Sequence, residues 1–309
     1  MTSTNQSAPL LIVIAGPTAV GKTAAAIEVA EALGADILSA DSRQFFKETS
    51  IVTAHPSAEE LQRVKHHFVD FLDIHTSYSA GDFERDALEF LEVYFKTKRV
   101  LVVTGGSGMY INALLQGFDE LPSDPMVREA LNKEFEIHGI QKLQEELKLR
   151  DPEHYDRMDI HNHMRLIRAL EVCRITQAPY SQLRTGEAKP RPFRWVMAGI
   201  TCEREELYAR INKRVDEMVV AGMVEEARRL YPHRGLNALN TVGYNELFDY
   251  FDGKLTLEES IALIKQHTRN FAKRQMTWFN RQANLVWFDR TELNQLVAWA
   301  QNEAQKTHD

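Results

Sequence analysis

The stretch Gly16-Pro17-Thr18-Ala19-Val20-Gly21-Lys22-Thr23 decides the fold. It fits G-x(4)-G-K-[ST] in full, and its surroundings suit that reading. The apolar run Leu10–Ala15 precedes it, and the Ala-rich segment TAAAIEVAEAL, closed by Gly34, predicts a helix after it. A buried strand that feeds a glycine-rich turn and opens a helix gathers backbone N–H groups at a helix N-terminus, where they attract phosphate. Gly16, Pro17, Thr18, Ala19, Val20, Gly21, Lys22 and Thr23 are therefore candidate ligands of a polyphosphate. Lys22 would meet its outer phosphates, and the Thr23 hydroxyl would bind Mg²⁺.

Further apolar runs follow at residues 37–40, 100–104, 195–200 and 285–288. Each is continuous rather than alternating, as expected of parallel strands covered on both faces. Between the second and third, DFERDALEFLEVYF sets Phe83, Ala87, Phe90 and Leu91 on one helical face. The series predicts an α/β fold, a P-loop NTPase-like doubly wound parallel sheet. From residue 122 to 192 the rhythm breaks. Only helix starts occur there, Ser123-Asp124-Pro125 and Asp151-Pro152, each with proline just inside a cap. A helical insertion domain over 122–192 is expected within a P-loop core of residues 1–121 and 193–309. A long helix from Thr256 to about Asn280, a last strand and a C-terminal helix complete the core.

What accompanies the phosphate loop narrows its use. Asn212-Lys213-Arg214-Val215 lacks the final Asp of a guanine-reading N/T-K-x-D motif. The run at 100–104 ends in Thr104-Gly105-Gly106-Ser107-Gly108 rather than in a magnesium-binding acid. A GTPase switch and an ATP-driven motor are thereby disfavoured. Asp41, directly after the second run, would lie beside the phosphate loop if the first two strands are neighbours. A carboxylate there could take a proton from an attacking nucleophile, or could cap the Asp41-Ser42 turn. Arg210 and Arg214 stand four apart on one face of a predicted helix, suiting either a diphosphate or a solvated charge ladder with Glu203, Glu205, Glu206 and Glu217.

The 309 residues are 44% hydrophobic and 26% charged with 15 Gly and 10 Pro, which excludes a collagen-like or disordered chain. Two cysteines, Cys173 and Cys202, cannot build a disulfide framework or a Cys-rich zinc site. No H-E-x-x-H or Cys/His ligand spacing accompanies the scattered histidines. Residues 1–9 have neither the basic start nor the apolar core of a secretion signal. A cytoplasmic protein with no membrane partner is expected, with a monomer as the default state. The net charge of −7 argues against an indiscriminate nucleic-acid coat. Basic residues are nonetheless concentrated. Residues 157–194 carry Arg157, Arg165, Arg168, Arg174, Arg184, Lys189, Arg191 and Arg194 against Asp159, Glu171 and Glu187, a balance of +5. The long helix adds Lys265, Arg269, Lys273, Arg274 and Arg281, interleaved with Phe271, Trp278 and Phe279. These stretches read as a polyanion-binding surface, RNA in particular, or as a solvated face.

Taken in order, GPTAVGKT (16–23), ADSRQ (40–44), KHHFVD (65–70), YSAGDF (78–83), GGSGMYINALL (105–115), RLIRALEV (165–172), NTVGYNE (240–246) and RNFAKRQMTWF (269–279) resemble the bacterial tRNA dimethylallyltransferases, also called tRNA isopentenyltransferases. The resemblance implies transfer of a dimethylallyl group from dimethylallyl diphosphate to N6 of the adenosine 3′-adjacent to the tRNA anticodon. It also implies Mg²⁺ dependence and a helical insertion contacting the anticodon loop. Thr18 to Thr23 match the positions that hold the donor diphosphate, Arg214 a diphosphate-binding arginine, and Asp41 the general base. Asp41, Ser42, Arg43 and Gln44 match tRNA-contacting segments, as do Met164, Arg165, Leu166, Ile167 and Arg168, and Asn240, Thr241, Val242, Gly243, Tyr244 and Asn245. Ser107 and Arg128 match two more such positions. Ser107 replaces a usual threonine and keeps its hydroxyl. Thr49 to Pro56 departs from the usual M-D-I-G-T-A-K-P, so that Val52 is expected to lack the backbone freedom of glycine and His55 replaces lysine.

Overall fold

The computed structural model describes residues 8–306; the polar start at 1–7 and the last three residues lie outside them. Six strands, β1 (Leu10–Ala15), β2 (Ile37–Ser39), β3 (His66–His67), β4 (Val100–Gly105), β5 (Arg194–Thr201) and β6 (Leu285–Asp289), form one sheet in the order β3-β2-β4-β1-β5-β6. Every pairing is parallel. The apolar runs thus become buried parallel strands. β3 was not foreseen, because two histidines carry no apolar run.

The helices are α1 (Lys22–Leu33), α2 (Ala58–Arg63), α3 (Ala80–Tyr94), α4 (Gly108–Gln116), α5 (Pro125–Arg150), α6 (Pro152–Arg157) and α7 (His163–Thr176). After them come α8 (Tyr180–Leu183), α9 (Arg204–Val220), α10 (Met223–Leu230), α11 (Tyr244–Phe251), α12 (Leu257–Phe279) and α13 (Leu293–Gln305). None is long and apolar enough to cross a membrane.

The chain divides into two compact units, one running to Leu115 and resuming at Arg191, the other Gln116–Pro190. In the first, Leu10, Ile12 and Ile14 of β1 pack with Ala26, Ile27 and Ala30 of α1, Ile211 of α9 and Leu296 of α13. Leu11 and Val13 point to the opposite face of the sheet and are equally inaccessible to water. Burial on both faces is why β1 reads as an unbroken apolar run. A second cluster is aromatic: Phe45 stacks on Phe83 and meets Phe71, Tyr78 and Tyr110 edge-on at 5.4–5.7 Å between ring centroids.

β1 and β2 are not neighbours, contrary to the condition under which Asp41 was placed: β4 lies between them. The consequence for Asp41 is small. Ile14 and Ser39 both pair with Thr104 of β4, so the ends of β1 and β2 leave the sheet at one level along its carboxyl edge.

The second unit is all helical. Asp124 caps α5 by accepting from Met126 N, and Asp151 caps α6 by accepting from His154 N, each followed by proline at the first helical position. α5 is broken at Gly139 (φ 72°, ψ −173°), and its two halves enclose Leu131, Leu143 and Leu147 against Leu166, Ile167 and Leu170 of α7.

Candidate active site

The phosphate loop departs from β1 through Gly16, whose φ of 144° and approach to β5 both demand glycine. A Cβ there would fall 2.6 Å from the Ile200 carbonyl oxygen. Ala19 is held at φ 63°, a sparsely populated conformation for a residue with a Cβ. Arg210 of α9 donates from Nε to its carbonyl at 2.9 Å. Gly21 caps α1 without a side-chain hydrogen bond, and the first turn of α1 has no acidic residue. The helix therefore presents unneutralised N–H groups and its positive end to a ligand in the loop. One constraint on the loop comes from far along the chain. Gln275 of α12 accepts the Thr18 N–H at 2.8 Å and donates to the Gly106 carbonyl at 2.9 Å, so it ties the loop to the end of β4.

Among the described residues, the Lys22 and Arg214 side chains hydrogen-bond to carbonyls. Lys22 Nζ donates to Pro17 O at 2.7 Å, and Arg214 reaches Ala54 O at 3.4 Å. Burial pushes the Lys22 ammonium down to about 8; the Asp41 carboxylate opposes that shift and the Arg214 charge adds to it. Burial lowers Arg214 as well, again against the pull of Asp41. Lys22, Arg214 and Asp41 thus sense one another's charge, and the cations are poised to gain from an incoming anion. The Thr23 hydroxyl, on the first turn of α1, is an oxygen donor. Among the described residues no three His, Cys, Asp or Glu side chains form a cation cage. A hard cation that keeps its waters and takes further ligands from a phosphate fits that one-sided donor set.

Asp41 follows β2 in a tight turn: its Oδ1 accepts the Arg43 N–H at 3.1 Å, and its own N–H donates to Ser39 Oγ at 3.3 Å. The turn-capping role therefore exists, and Oδ2 remains for other work. The Ser42 N–H donates to Ser107 Oγ at 3.2 Å, and the two hydroxyls lie 3.2 Å apart, so Ser107 stands beside the turn that carries Asp41. Arg43 donates to the carbonyls of Asn237, Ala238 and Asn240 at 2.9–3.4 Å. This brings the 41–44 and 240–245 segments together. Gln44 donates to Ala54 O at 3.0 Å. Asn245 is exposed, and its amide reaches Asn240 Oδ1 at 3.2 Å. Val242 and Asn245 line a cleft of about 350 Å³ with His267 and Arg274. Tyr244 is fully buried.

Val52 corrects an expectation. It is absent from the residues with positive φ, so the freedom of glycine is not needed there. The glycine is needed opposite it: Gly243 has φ 103°, and a Cβ on it would lie 2.5 Å from Val52 Cγ1. The His55 side chain is 4% exposed, with Nδ1 2.7 Å from Asp70 Oδ1.

In the helical unit the candidates separate by exposure. Met164 and Arg165 are exposed, whereas Leu166 and Ile167 fill the core of the unit and offer no side chain to a ligand. Arg128 and Arg168 both bind the buried Glu171, which also accepts the Asp124 N–H at 3.1 Å. The concentrated basic charge is correspondingly reduced. Arg174 is paired with Glu134 and Glu146, Arg157 with Glu153, Lys189 with Glu120 and Arg191 with Glu84. All five of those acids, Glu134 and Glu146 of α5 among them, lie outside residues 157–194, so a count over that window overstated its field. On α12, Lys265 is paired with Asp216 at 2.6 Å, whereas Arg269 donates to the neutral Asn212 amide oxygen and keeps its charge. Lys273 and Arg274 stay exposed. Trp278 packs where a Cβ on Gly108 would stand, and Phe279 is core.

Residues 44–282 match the family model described as IPP transferase. A tRNA dimethylallyltransferase of Christiangramia forsetii is 50% identical over 91% of this chain and 94% of its own. The tRNA dimethylallyltransferase 2 of Parabacteroides distasonis is 47% identical over 91% of this chain and 95% of its own. The crystal structure of the full-length tRNA isopentenylpyrophosphate transferase of Bacillus halodurans superposes with a TM-score of 0.71 at 35% identity, covering 96% of this chain and 97% of that one. A eukaryotic dimethylallyltransferase acting on tRNA gives a TM-score of 0.79 over 96% of this chain and 77% of its own; at 23% identity it speaks for the fold.

Proposed function

The chain belongs to the IPP transferase family, and from that premise we propose that it transfers the dimethylallyl group of dimethylallyl diphosphate to N6 of the adenosine 3′-adjacent to the anticodon of tRNA. The observation that carries the reading is the joint placement of Asp41, Lys22 and Arg214, a carboxylate and two cations that sense one another beside the phosphate loop. The adenosine amine attacks C1 of the dimethylallyl group, the C1–O bond breaks and diphosphate leaves. Asp41 orients the amine and takes its proton. Charge growing on the leaving oxygens is met by the loop N–H groups, Lys22 and Arg214. Mg²⁺ held by Thr23 and the diphosphate would neutralise part of that charge. To reach the amine, the base must leave its stack, which costs least in a single-stranded loop.

The helical insertion, expected over 122–192, supplies RNA contacts through Met164 and Arg165, while Arg128 and Arg168 act from their pairs with Glu171. Arg43, Gln44, Ser107 and the 240–245 segment supply the rest on the core. The setting is the cytoplasm and the working form a monomer. Incubating the protein with Mg²⁺, labelled dimethylallyl diphosphate, unmodified tRNA and ATP tests the reading. Label is expected on tRNA; phosphoryl transfer from ATP with none on tRNA would instead mark a kinase.

A further inference from the structure

We propose that Glu226 is a positioning residue that sets Arg214 for the donor diphosphate, acting through the backbone of residues 50–54. This rests on the donor-site reading above and adds a residue to which no role has been attached. Glu226 lies on α10, far from the phosphate loop in sequence, and only 1% of its surface is exposed. A carboxylate buried so completely must have its lone pairs satisfied. Its partners are specific. Oε2 accepts the Ile51 N–H at 2.9 Å and the Ser50 hydroxyl at 3.4 Å. Oε1 accepts the Val52 N–H at 2.9 Å and the Tyr244 hydroxyl at 2.8 Å. Every one of these partners is a donor, so only an acceptor on both oxygens satisfies the site.

The loop that Glu226 holds is closed on itself. His55 N–H donates to Ser50 O at 3.0 Å, Ala54 N–H to Ile51 O at 3.1 Å, and Thr53 Oγ1 to Thr49 O at 2.6 Å. Its far end is Ala54, a non-glycine residue held at φ 53°. The Ala54 carbonyl accepts both from Arg214 at 3.4 Å and from Gln44 at 3.0 Å. A rigid turn therefore runs from Glu226 and Tyr244 at one end to the diphosphate arginine at the other. Moving the Glu226 end moves the carbonyl that Arg214 holds.

Glu226→Gln keeps the size of the side chain but turns one acceptor into an NH₂ group facing N–H and O–H donors. Binding of inorganic diphosphate with Mg²⁺, measured by calorimetry, is expected to weaken about tenfold, and amide exchange at Ile51 and Val52 to accelerate. In an Arg214→Ala background the same change is expected to cause no further loss. Tyr244→Phe, which leaves both loop N–H bonds in place, should give a smaller loss that also vanishes in that background. In turnover, Glu226→Gln should lower kcat/KM for the donor by a similar factor, and this loss should also vanish in the Arg214→Ala background. Wild-type diphosphate affinity in Glu226→Gln, or an equal loss with and without Arg214, would overturn the proposal while leaving the donor site standing. A wild-type protein that binds no diphosphate would overturn both.

Discussion

The two units of the chain treat their arginines and lysines in opposite ways. At the carboxyl edge of the sheet, Lys22, Arg210 and Arg214 hydrogen-bond to the carbonyls of Pro17, Ala19 and Ala54. In the helical unit, Arg128 and Arg168 share Glu171, and Arg174 grips Glu134 and Glu146. A carbonyl satisfies a donor's geometry but leaves the charge in place, whereas a carboxylate cancels it. The first arrangement keeps cations available for a polyanion at a cost that burial makes visible in Lys22. The second spends them on holding α5, α7 and the chain before α5 in register. Counting basic residues cannot tell the two apart; their acceptors can.

The contrast can be broken in several places. Lys22→Ala removes an uncancelled charge, and kcat/KM for the donor should fall about 10²–10³-fold with little change in thermal stability. The same lysine sets a pH limb. Its pKa in the free protein is held down near 8, so it is protonated below that pH and loses its charge as pH rises through it. kcat/KM for the donor is therefore expected to drop about tenfold per pH unit above 8, and kcat at saturating donor to drop later, because bound diphosphate favours the charged form. In the helical unit the large effect should be on folding. Glu171→Ala leaves Arg128, Arg168 and the Asp124 N–H without their shared acceptor, and should cost about 2 kcal/mol in thermal or urea unfolding, the arginines being half-exposed. The smallest effect is expected at Arg165, which is exposed and forms no ion pair among the described residues. Arg165→Ala should change stability by less than about 0.5 kcal/mol, weaken tRNA binding a few-fold and reduce its salt dependence. A stability loss at Arg165 comparable to that at Glu171 would erase the distinction.

What could be read from the sequence was what is local. The phosphate loop, the prolines inside the caps of α5 and α6, and the span of α12 depend on residues a few positions apart, and each stands where the sequence puts it. Gln275 could not be found that way, since it meets Thr18 across 257 residues. Glu226 is hidden for the same reason: the backbone N–H groups it serves carry no side-chain signature. The strand order escaped because nothing in the runs themselves says that β4 slips between β1 and β2. The packing of Leu166 and Ile167, which the resemblance places in a tRNA-contacting segment, was legible in the sequence. Leu166 and Leu170 recur at helical spacing beside Ile167, which marks a core stripe.

The role proposed for Asp41 lies in the chemistry and not in binding. Single-turnover transfer from labelled dimethylallyl diphosphate to an unmodified tRNA, with Asp41→Asn saturated in both substrates, measures that directly. The rate of label transfer is expected to fall about 10²-fold or more while both dissociation constants stay near wild type. An undiminished single-turnover rate, or a loss confined to substrate affinity, would contradict it.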